Sequence, residues 1–461
     1  MRGDSSLRPL LLPALDGITL TVAFFVATYL RFGQSIDNLL VYENLLPKAI
    51  LNTFIIQLCL YYTDLYEDWP LQRPLETTMR FGQAFVAGLV ALLIIYYVLP
   101  PLTVGRGILA LHLVLSFFAI LSIRALYRWL GEEDNFAENV IILGTGSSAQ
   151  NVAREILKRR PWSGRVLGFL AEDPSDVGRR IVNPTVIGTV DELPLLADRL
   201  KAGLIVVALD DRRGKLPVND LLRCRIEGVR VEEGASVLER LTGQIPIKNL
   251  RPSWLVFSRG FDESRLLRRL KVAGEFGVAV LMLAGATPVM LLVALAIRFT
   301  SPGAPIYRQE RVGERGRPFR LLKFRTMKID AEAGTGPVWA SAEDDPRITR
   351  LGRLLRKTRL DELPQLVNVV RGEMSFVGPR PERPHFVNAL RQVIPFYDER
   401  HTVRPGITGW AQIRCGYGAS IEDAELKLQF DLYYIKHLSF AFDMSIMLDT
   451  LKVVVVGRGA R

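Results

Sequence analysis

The chain has 461 residues, which is enough for two or three domains. Its mean hydropathy of +0.18 is high for a purely soluble protein, and its net charge of +11 favours an anionic partner. Together these values point to anionic lipid or a phosphorylated substrate, and we expect no nucleic acid partner. Three widely spaced cysteines and only four histidines argue against a disulfide framework or a structural zinc site.

Four apolar stretches occupy the first third of the chain, and each is about long enough to cross a bilayer. They cover roughly residues 10–30, 46–62, 81–99 and 107–127. We predict a four-helix transmembrane domain over residues 1–130, in which Asp16 needs a partner because it interrupts an apolar helix. The first stretch is expected to be a retained anchor, since no clear small-residue cleavage site follows it. Arginines flank one side more than the other, which predicts that both ends of the bundle are cytoplasmic.

Alternating strand and helix patterns follow from residue 138 to about residue 250, as in a Rossmann-like α/β domain. The predicted strands are Val140–Leu143, Val166–Ala171 and Leu204–Leu209. The first strand leads into a G-x-G-x-x-A turn, whose Gly144 and Gly146 could hold a pyrophosphate at the N-terminus of the next helix. Because a lone glycine fingerprint is not specific, a Rossmann-like scaffold without a catalytic cofactor is the favoured interpretation.

Another apolar helix is predicted over about 272–299, with Thr287 and Pro288 near its middle. Proline removes one backbone hydrogen bond, and the threonine hydroxyl can donate to a preceding carbonyl, which deepens a bend. Basic residues flank both ends, which suits a helix that enters and leaves through the same anionic leaflet. The pattern by itself fits an ordinary kinked membrane span equally well.

The last third of the chain is polar, and two runs of basic residues flank the acidic pair Asp361-Glu362. The second run includes a predicted amphipathic helix over 347–357. Arginines in this setting favour phosphate binding, although such runs are often only a solvated face. Both carboxylates are expected near a helix N-terminus, where the helix dipole favours the ionised form. An ionised carboxylate can attack phosphorus or hold Mg²⁺, and helix capping is the alternative.

Six strings of residues after Ser301 occur in an order that resembles one family. They are Ser301–Gly303, Gln309–Gly313, Lys323–Met327, Asp361–Leu366, Gly378–Pro381 and Arg404–Gly409. Over about 263–461 the chain resembles the bacterial sugar transferase domain of monotopic phosphoglycosyl transferases. The apolar stretches and α/β pattern ahead of it resemble the large form of this family, the undecaprenyl-phosphate hexose-1-phosphate transferases that initiate exopolysaccharide synthesis.

The resemblance implies a function and a role for each site residue. The enzyme would move hexose-1-phosphate from UDP-glucose or UDP-galactose to undecaprenyl phosphate at the bacterial inner membrane. Asp361 would be the nucleophile that forms an aspartyl-phosphosugar and releases UMP, and Glu362 would bind Mg²⁺. The residues expected to neutralise phosphates are Lys323, Arg325, Arg356 and Arg380. Arg404 would help to hold the nucleotide, and the 272–299 helix would be re-entrant, resting in the cytoplasmic leaflet.

The predicted fold is therefore a membrane α-helical bundle, a Rossmann-like α/β domain over 138–250 and an α/β-type catalytic domain over 263–461. One alternative is a membrane-linked nucleotide-sugar dehydratase or epimerase, which needs a Tyr-x-x-x-Lys base. No tyrosine in the sequence has lysine four residues later. The other alternative is a non-catalytic scaffold of a polysaccharide assembly complex. Such a protein would be expected to have lost the acidic pair, but both Asp361 and Glu362 are present. The sequence leaves open whether the chain forms homo-oligomers.

Overall fold

The computed structural model describes most of the chain in eleven segments. These are residues 8–33, 45–63, 65–66, 74–132, 138–158, 164–211, 216–247, 265–328, 347–415, 418 and 420–456. Within these segments, five helices are long and apolar enough to cross a membrane. Four lie in the first third of the chain, where the sequence predicted them, and the fifth carries Pro288.

The four N-terminal helices pack around a common apolar core. They are α1 (Arg8–Phe32), α2 (Leu45–Tyr62), α3 (Pro74–Val98) and α4 (Arg106–Glu132). Leu20, Ile56 and Phe81 are fully buried in this core. The expected partner of Asp16 is Arg124 of α4, whose Nη2 lies 2.6 Å from Asp16 Oδ2. Both side chains are almost completely buried. The charge of each therefore offsets part of the desolvation cost of burying the other.

The segment that follows is an α/β domain built on a five-stranded parallel sheet. Its strands are β1 (Asn139–Leu143), β2 (Arg165–Ala171), β3 (Val186–Thr189), β4 (Leu204–Val207) and β5 (Arg230–Glu233). Its helices are α5 (Ser147–Lys158), α6 (Leu193–Arg199), α7 (Val218–Ile226) and α8 (Gly234–Thr242). The strand order is β3-β2-β1-β4-β5, with a separate apolar core on each face of the sheet. The prediction of a parallel α/β domain is confirmed.

The C-terminal part begins with one long helix, α9 (Arg265–Thr300), followed by an antiparallel hairpin. The hairpin strands are β6 (Ile306–Val312) and β7 (Pro318–Phe324). The later elements are α10 (Arg350–Lys357), α11 (Gln365–Val370), β8 (Ser375–Val377), α12 (Pro384–Val393), β9 (Gly406–Thr408), α13 (Trp410–Arg414), α14 (Ile421–Lys436) and α15 (Phe440–Val456). Strands β8 and β9 form a short parallel pair.

Helix α9 contacts the C-terminal domain near both of its ends. At the start, Lys271 Nζ pairs with Asp443 Oδ2 of α15 at 2.7 Å. Toward the end, Ile297 is buried in a cluster with Phe324 of β7. The helix remains continuous through Pro288, and the Thr287 hydroxyl donates to the Leu283 carbonyl at 2.6 Å, as its position before the proline predicts.

The α/β domain and the C-terminal domain share contacts at the end of α8. Glu239 Oε2 accepts a hydrogen bond from Lys436 Nζ, and Glu239 Oε1 faces His437 Nε2, each at 2.7 Å. Ile245 and Ile247, placed by the sequence in the 138–250 domain, are buried in a cluster with C-terminal residues such as Leu428. The chain therefore joins the C-terminal core before residue 250.

Candidate active site

The acidic pair lies in a short 3₁₀ turn, Leu360–Glu362, between α10 and α11. Arg359 precedes this turn in the left-handed conformation, with φ of 57°, which directs the chain sharply from one element to the next. Leu360 packs in the same apolar cluster as Val293 of α9. The turn that carries the two carboxylates is thereby packed against the apolar helix α9.

Glu362 is held by three cations that converge on one of its oxygens. Lys323 Nζ lies 2.9 Å from Glu362 Oε1, Arg380 Nη2 lies 3.4 Å from it and Arg359 Nη1 lies 3.9 Å from it. Burial by itself raises the pKa of Glu362, but Lys323 and Arg380 outweigh burial and hold this pKa at about 2. Glu362 is therefore ionised and immobilised at any physiological pH.

Asp361 has the opposite character, although it is the adjacent residue. Its side chain is buried, and its Oδ1 accepts no hydrogen bond from any residue that the structure describes. Burial raises the pKa of Asp361, the charge of Glu362 raises it further, and Lys323 opposes both effects. Burial therefore opposes the ionised form that the sequence predicted for Asp361, whereas the neighbouring cations favour that form for Glu362.

Arg356 completes the cationic side of the site from the last turn of α10. Its Nε donates to Thr326 Oγ1 at 3.0 Å, and its charge acts on Asp361. Helix α10 lies very close to the chain after β7, since a Cβ added to Gly352 would lie 2.1 Å from the Thr326 carbonyl oxygen. The glycine thus allows the approach that brings Arg356 to the acidic pair.

The two turns that contain glycine, proline and arginine pack backbone to backbone. Gly406 N donates to the Pro379 carbonyl at 3.0 Å, and a Cβ added to Gly378 would lie 2.4 Å from the Arg404 carbonyl oxygen. Arg400, which is itself buried, donates from Nη2 to the Arg380 carbonyl at 3.0 Å. These contacts fix the backbone that carries the Arg380 guanidinium toward Glu362.

Two of the predicted phosphate-binding arginines contact other residues of the protein. Arg325 Nη2 donates to the Ser301 carbonyl at 3.0 Å, next to the end of α9. Arg404 Nε lies 3.4 Å from Glu314 Oε2, near the tip of the β6–β7 hairpin. Conversely, Arg359 contacts Glu362 but was not singled out from the basic run in the sequence. Its position two residues before the pair was the only available signal.

Comparisons with known proteins identify relatives of both the C-terminal part and most of the chain. Residues 266–457 match the family described as bacterial sugar transferase. The chain is 33% identical over 343 residues to the UDP-glucose:undecaprenyl-phosphate glucose-1-phosphate transferase of Escherichia coli K12, covering 72% of this chain and 71% of that protein. This chain belongs to the bacterial sugar transferase family. The acidic pair and its cations lie within the matched residues.

Two other relatives match different shares of this bacterial sugar transferase. A UDP-glucose:undecaprenyl-phosphate glucose-1-phosphate transferase of Xanthomonas campestris is 29% identical over 425 residues, covering 87% of this chain and 85% of the relative. A UDP-N-acetylgalactosamine-undecaprenyl-phosphate N-acetylgalactosaminephosphotransferase of Aeromonas hydrophila is 39% identical over 241 residues. That match covers 52% of this chain, which spans only 56% of the Aeromonas protein.

The residues of the acidic pair fit a magnesium ion only in part. Within the described residues, no group of three or more histidine, cysteine or acidic side chains is placed to hold a metal. However, Mg²⁺ commonly uses one or two carboxylates and completes its shell with water and substrate phosphates. The buried Asp361 Oδ1, which lacks a hydrogen-bond partner among the described residues, is the kind of atom that such an ion would satisfy. Glu362 would offer its second oxygen, since Oε1 is occupied by cations.

The glycine turn of the α/β domain holds one of the protein's own carboxylates. Asp210 accepts hydrogen bonds from Ser147 N at 3.1 Å and Ser148 N at 3.3 Å, at the N-terminus of α5. A Cβ added to Gly146 would lie 2.0 Å from Asp210 Oδ2, and one at Gly144 would lie 2.8 Å from a backbone oxygen after β4. Residues 62–222 match a family described as CoA-binding domain. A phosphate bound at this helix end, as the sequence allowed, would have to displace Asp210.

Proposed function

We propose that this enzyme transfers a hexose-1-phosphate from a UDP-sugar to undecaprenyl phosphate through a covalent intermediate on Asp361. The observation that carries the mechanism is the contrast between two adjacent carboxylates. Glu362 is fixed by Lys323 and Arg380, whereas Asp361 is buried with one oxygen that accepts no hydrogen bond from the described residues. A carboxylate that is close to cations but held by none of them is suited to attack phosphorus.

The first step forms a bond between a carboxylate oxygen of Asp361 and the phosphorus that carries the sugar. The bond from that phosphorus to the bridging oxygen breaks, and UMP leaves with the electron pair. Lys323, Arg356 and Arg380 face the acidic pair and would neutralise charge on the phosphate oxygens during this step. Arg359, which also contacts Glu362, joins this group.

In the second step, a phosphate oxygen of undecaprenyl phosphate attacks the same phosphorus. The bond to Asp361 breaks, which restores the carboxylate and releases undecaprenyl diphosphate sugar. A bound Mg²⁺ would supply further neutralisation of the phosphate oxygens and is expected to require Glu362. Two steps suit substrates of which one is soluble and the other lies in lipid, because they need not be bound together.

The position of the acidic pair against α9 suits a lipid acceptor. Leu360, directly before Asp361, packs with Val293 of this apolar helix. Because α9 contacts one domain near both ends, through Lys271 and Ile297, we infer that both ends lie on the catalytic side of the membrane. A re-entrant helix in the cytoplasmic leaflet of the bacterial inner membrane satisfies this condition, with the four N-terminal helices as multi-pass anchors.

The donor is proposed to be UDP-glucose or UDP-galactose. Relatives that are named for UDP-glucose match 72% and 87% of this chain, whereas the relative named for N-acetylgalactosamine matches 52%. Purified enzyme should be incubated with a short polyprenyl phosphate and each of a panel of UDP-sugars, and UMP release measured. We expect release with an unmodified hexose that disappears in Asp361→Asn. Preference for an N-acetylated donor would refute the sugar assignment, and release by Asp361→Asn at the wild-type rate would refute the mechanism.

A further inference from the structure

A basic cavity of about 960 Å³ lies beside the start of α9 and does not include the acidic pair. Three elements meet there: the first turns of α9, the tip of the β6–β7 hairpin, and the turn between α11 and β8. Among the described residues, six arginines line it: Arg268, Arg269, Arg315, Arg317, Arg371 and Arg404. The chain thus assembles cations from distant parts of the sequence around one opening.

Among the described residues of the lining, the six arginines outnumber the three glutamates. Glu314 forms ion pairs with Arg268 and, at 3.4 Å, with Arg404. The other two glutamates of the lining, Glu275 and Glu373, accept hydrogen bonds from neighbouring side chains at 2.5 and 2.6 Å. In the part of the chain that the structure describes, four arginines of the lining have no carboxylate partner, namely Arg269, Arg315, Arg317 and Arg371. Such a set of guanidinium groups favours a phosphate ligand.

The wall of the cavity is apolar and belongs partly to the membrane helix. Val272 and Phe276 of α9 line it, together with Phe319 and Val369 of the catalytic domain. The apolar span of α9 begins at Arg268, so the cavity lies where this helix meets the surface of the membrane. A ligand here would meet both guanidinium groups and hydrocarbon.

The lining of the cavity contains neither Asp361 nor any of the three cations that contact Glu362. The cavity is therefore a feature separate from the acidic pair. We propose that this cavity binds the phosphate headgroup of an anionic phospholipid of the surrounding leaflet. Arg315 and Arg371 contact the phosphate, while an acyl chain lies along Val272 and Phe276.

The test uses the full-length protein, purified in detergent and freed of lipid. Binding of dioctanoylphosphatidylglycerol is compared with binding of dioctanoylphosphatidylcholine and of inorganic phosphate, by titration calorimetry. The variant is Arg315→Gln/Arg371→Gln, and the control is Arg223→Gln/Arg225→Gln, which removes the same charge from the exposed helix α7. Each arginine near a membrane surface contributes about 5-fold in affinity for anionic lipid, so the double variant should bind phosphatidylglycerol about 25-fold more weakly.

We expect the control to bind phosphatidylglycerol as the wild type does, phosphatidylcholine to bind weakly, and phosphate to bind weakly because it lacks an acyl chain. Equal phosphatidylglycerol affinity in the variant and wild type would overturn the proposal. Phosphate binding as tight as that of the lipid would assign the cavity to a free anion instead. A variant that loses UMP binding, or that shows a raised KM for polyprenyl phosphate, would assign it to a substrate. If the cavity binds a phospholipid, UMP release should be unchanged in the variant. Failure of the lipid proposal can therefore be distinguished from failure of the proposed reaction.

Discussion

The N-terminal boundary of the catalytic domain leads to a prediction about stability, and the size of the effect can be calculated from the structure. All residues of the acidic site lie after Ser301, so the bundle and the α/β domain are expected to be dispensable for chemistry. A truncated protein that begins at Asp262 matches the predicted domain, but it lacks Ile245 and Ile247, which are buried in the C-terminal core. We therefore expect a protein beginning at Gln244 to be active and stable, and the one beginning at Asp262 to be destabilised.

The magnitude follows from the burial of the two isoleucines, which are 0% and 3% exposed. Burying one such side chain contributes about 1.5–3 kcal/mol, so the pair contributes about 3–6 kcal/mol. Typical domains unfold with a free energy of about 5–15 kcal/mol, so this loss is a large fraction of the total. For a domain of this size, the midpoint of thermal unfolding should fall by about 6–24 °C.

The assay is thermal unfolding in detergent, combined with UMP release, for the two truncated proteins. Both lack Glu239, so the loss of its contact with Lys436 does not distinguish them. In the full-length chain, Ile245→Ala/Ile247→Ala should be destabilised, whereas Ile226→Ala, at a residue that is 78% exposed, should not. Equal unfolding midpoints for the two truncated proteins would refute the packing argument. A folded but inactive protein beginning at Gln244 would refute the dispensability of the front half.

Three further predictions concern single interactions. Arg359→Gln should lower kcat/KM for the UDP-sugar about 10- to 100-fold through loss of one charged contact. Arg325→Gln should have little effect, because the Arg325 guanidinium faces Ser301. Equal losses of kcat/KM in the two variants would show that Arg359 does not act in the site. Asp16→Asn should destabilise the protein by about 3–5 kcal/mol because it removes the carboxylate that faces the buried Arg124 charge, and an unchanged unfolding midpoint in detergent would contradict this. Mg²⁺ should bind more tightly when UDP is present, because substrate phosphates complete its shell; calorimetry that gives equal affinities with and without UDP would contradict it.

The sequence was informative where one local pattern determines structure. Apolar stretches of spanning length predicted all four N-terminal helices, and the charge of Asp16 within one of them required the buried partner that Arg124 provides. Short apolar runs between helical patterns located all but the first residue of β1 and of β2, and the run predicted for β4 extended two residues past its end. Neither edge strand, β3 or β5, was identified. Strand β3 has only four residues, and the sequence Arg-Val-Glu-Glu of β5 lacks apolar alternation, so each strand depends on pairing with its neighbour in the sheet.

The sequence was less informative where position depends on contacts between distant segments. The acidic pair was identified, but the contacts of Arg404 with Glu314 and of Arg325 with Ser301 could not be predicted, because no local pattern encodes them. For the same reason, the glycine turn suggested a ligand site, whereas a carboxylate 63 residues after Ser147, that of Asp210, fills the helix end. Sequence reasoning identifies residue types suited to phosphate chemistry, and the fold determines which of them meet.

The covalent step on Asp361 is tested most directly by intact-mass analysis under acid-quenched conditions. Wild-type enzyme is mixed with the UDP-sugar in the absence of lipid acceptor, and Asp361→Asn is the control because the amide is nearly isosteric. We predict a gain of one phosphosugar, mapped to the peptide that contains Asp361, no gain in the control, and a loss of at least about 10³-fold in the control's turnover. Absence of the adduct in the wild type, together with kinetics that require both substrates to be bound at once, would contradict the covalent mechanism and leave Asp361 as a general base or a metal ligand.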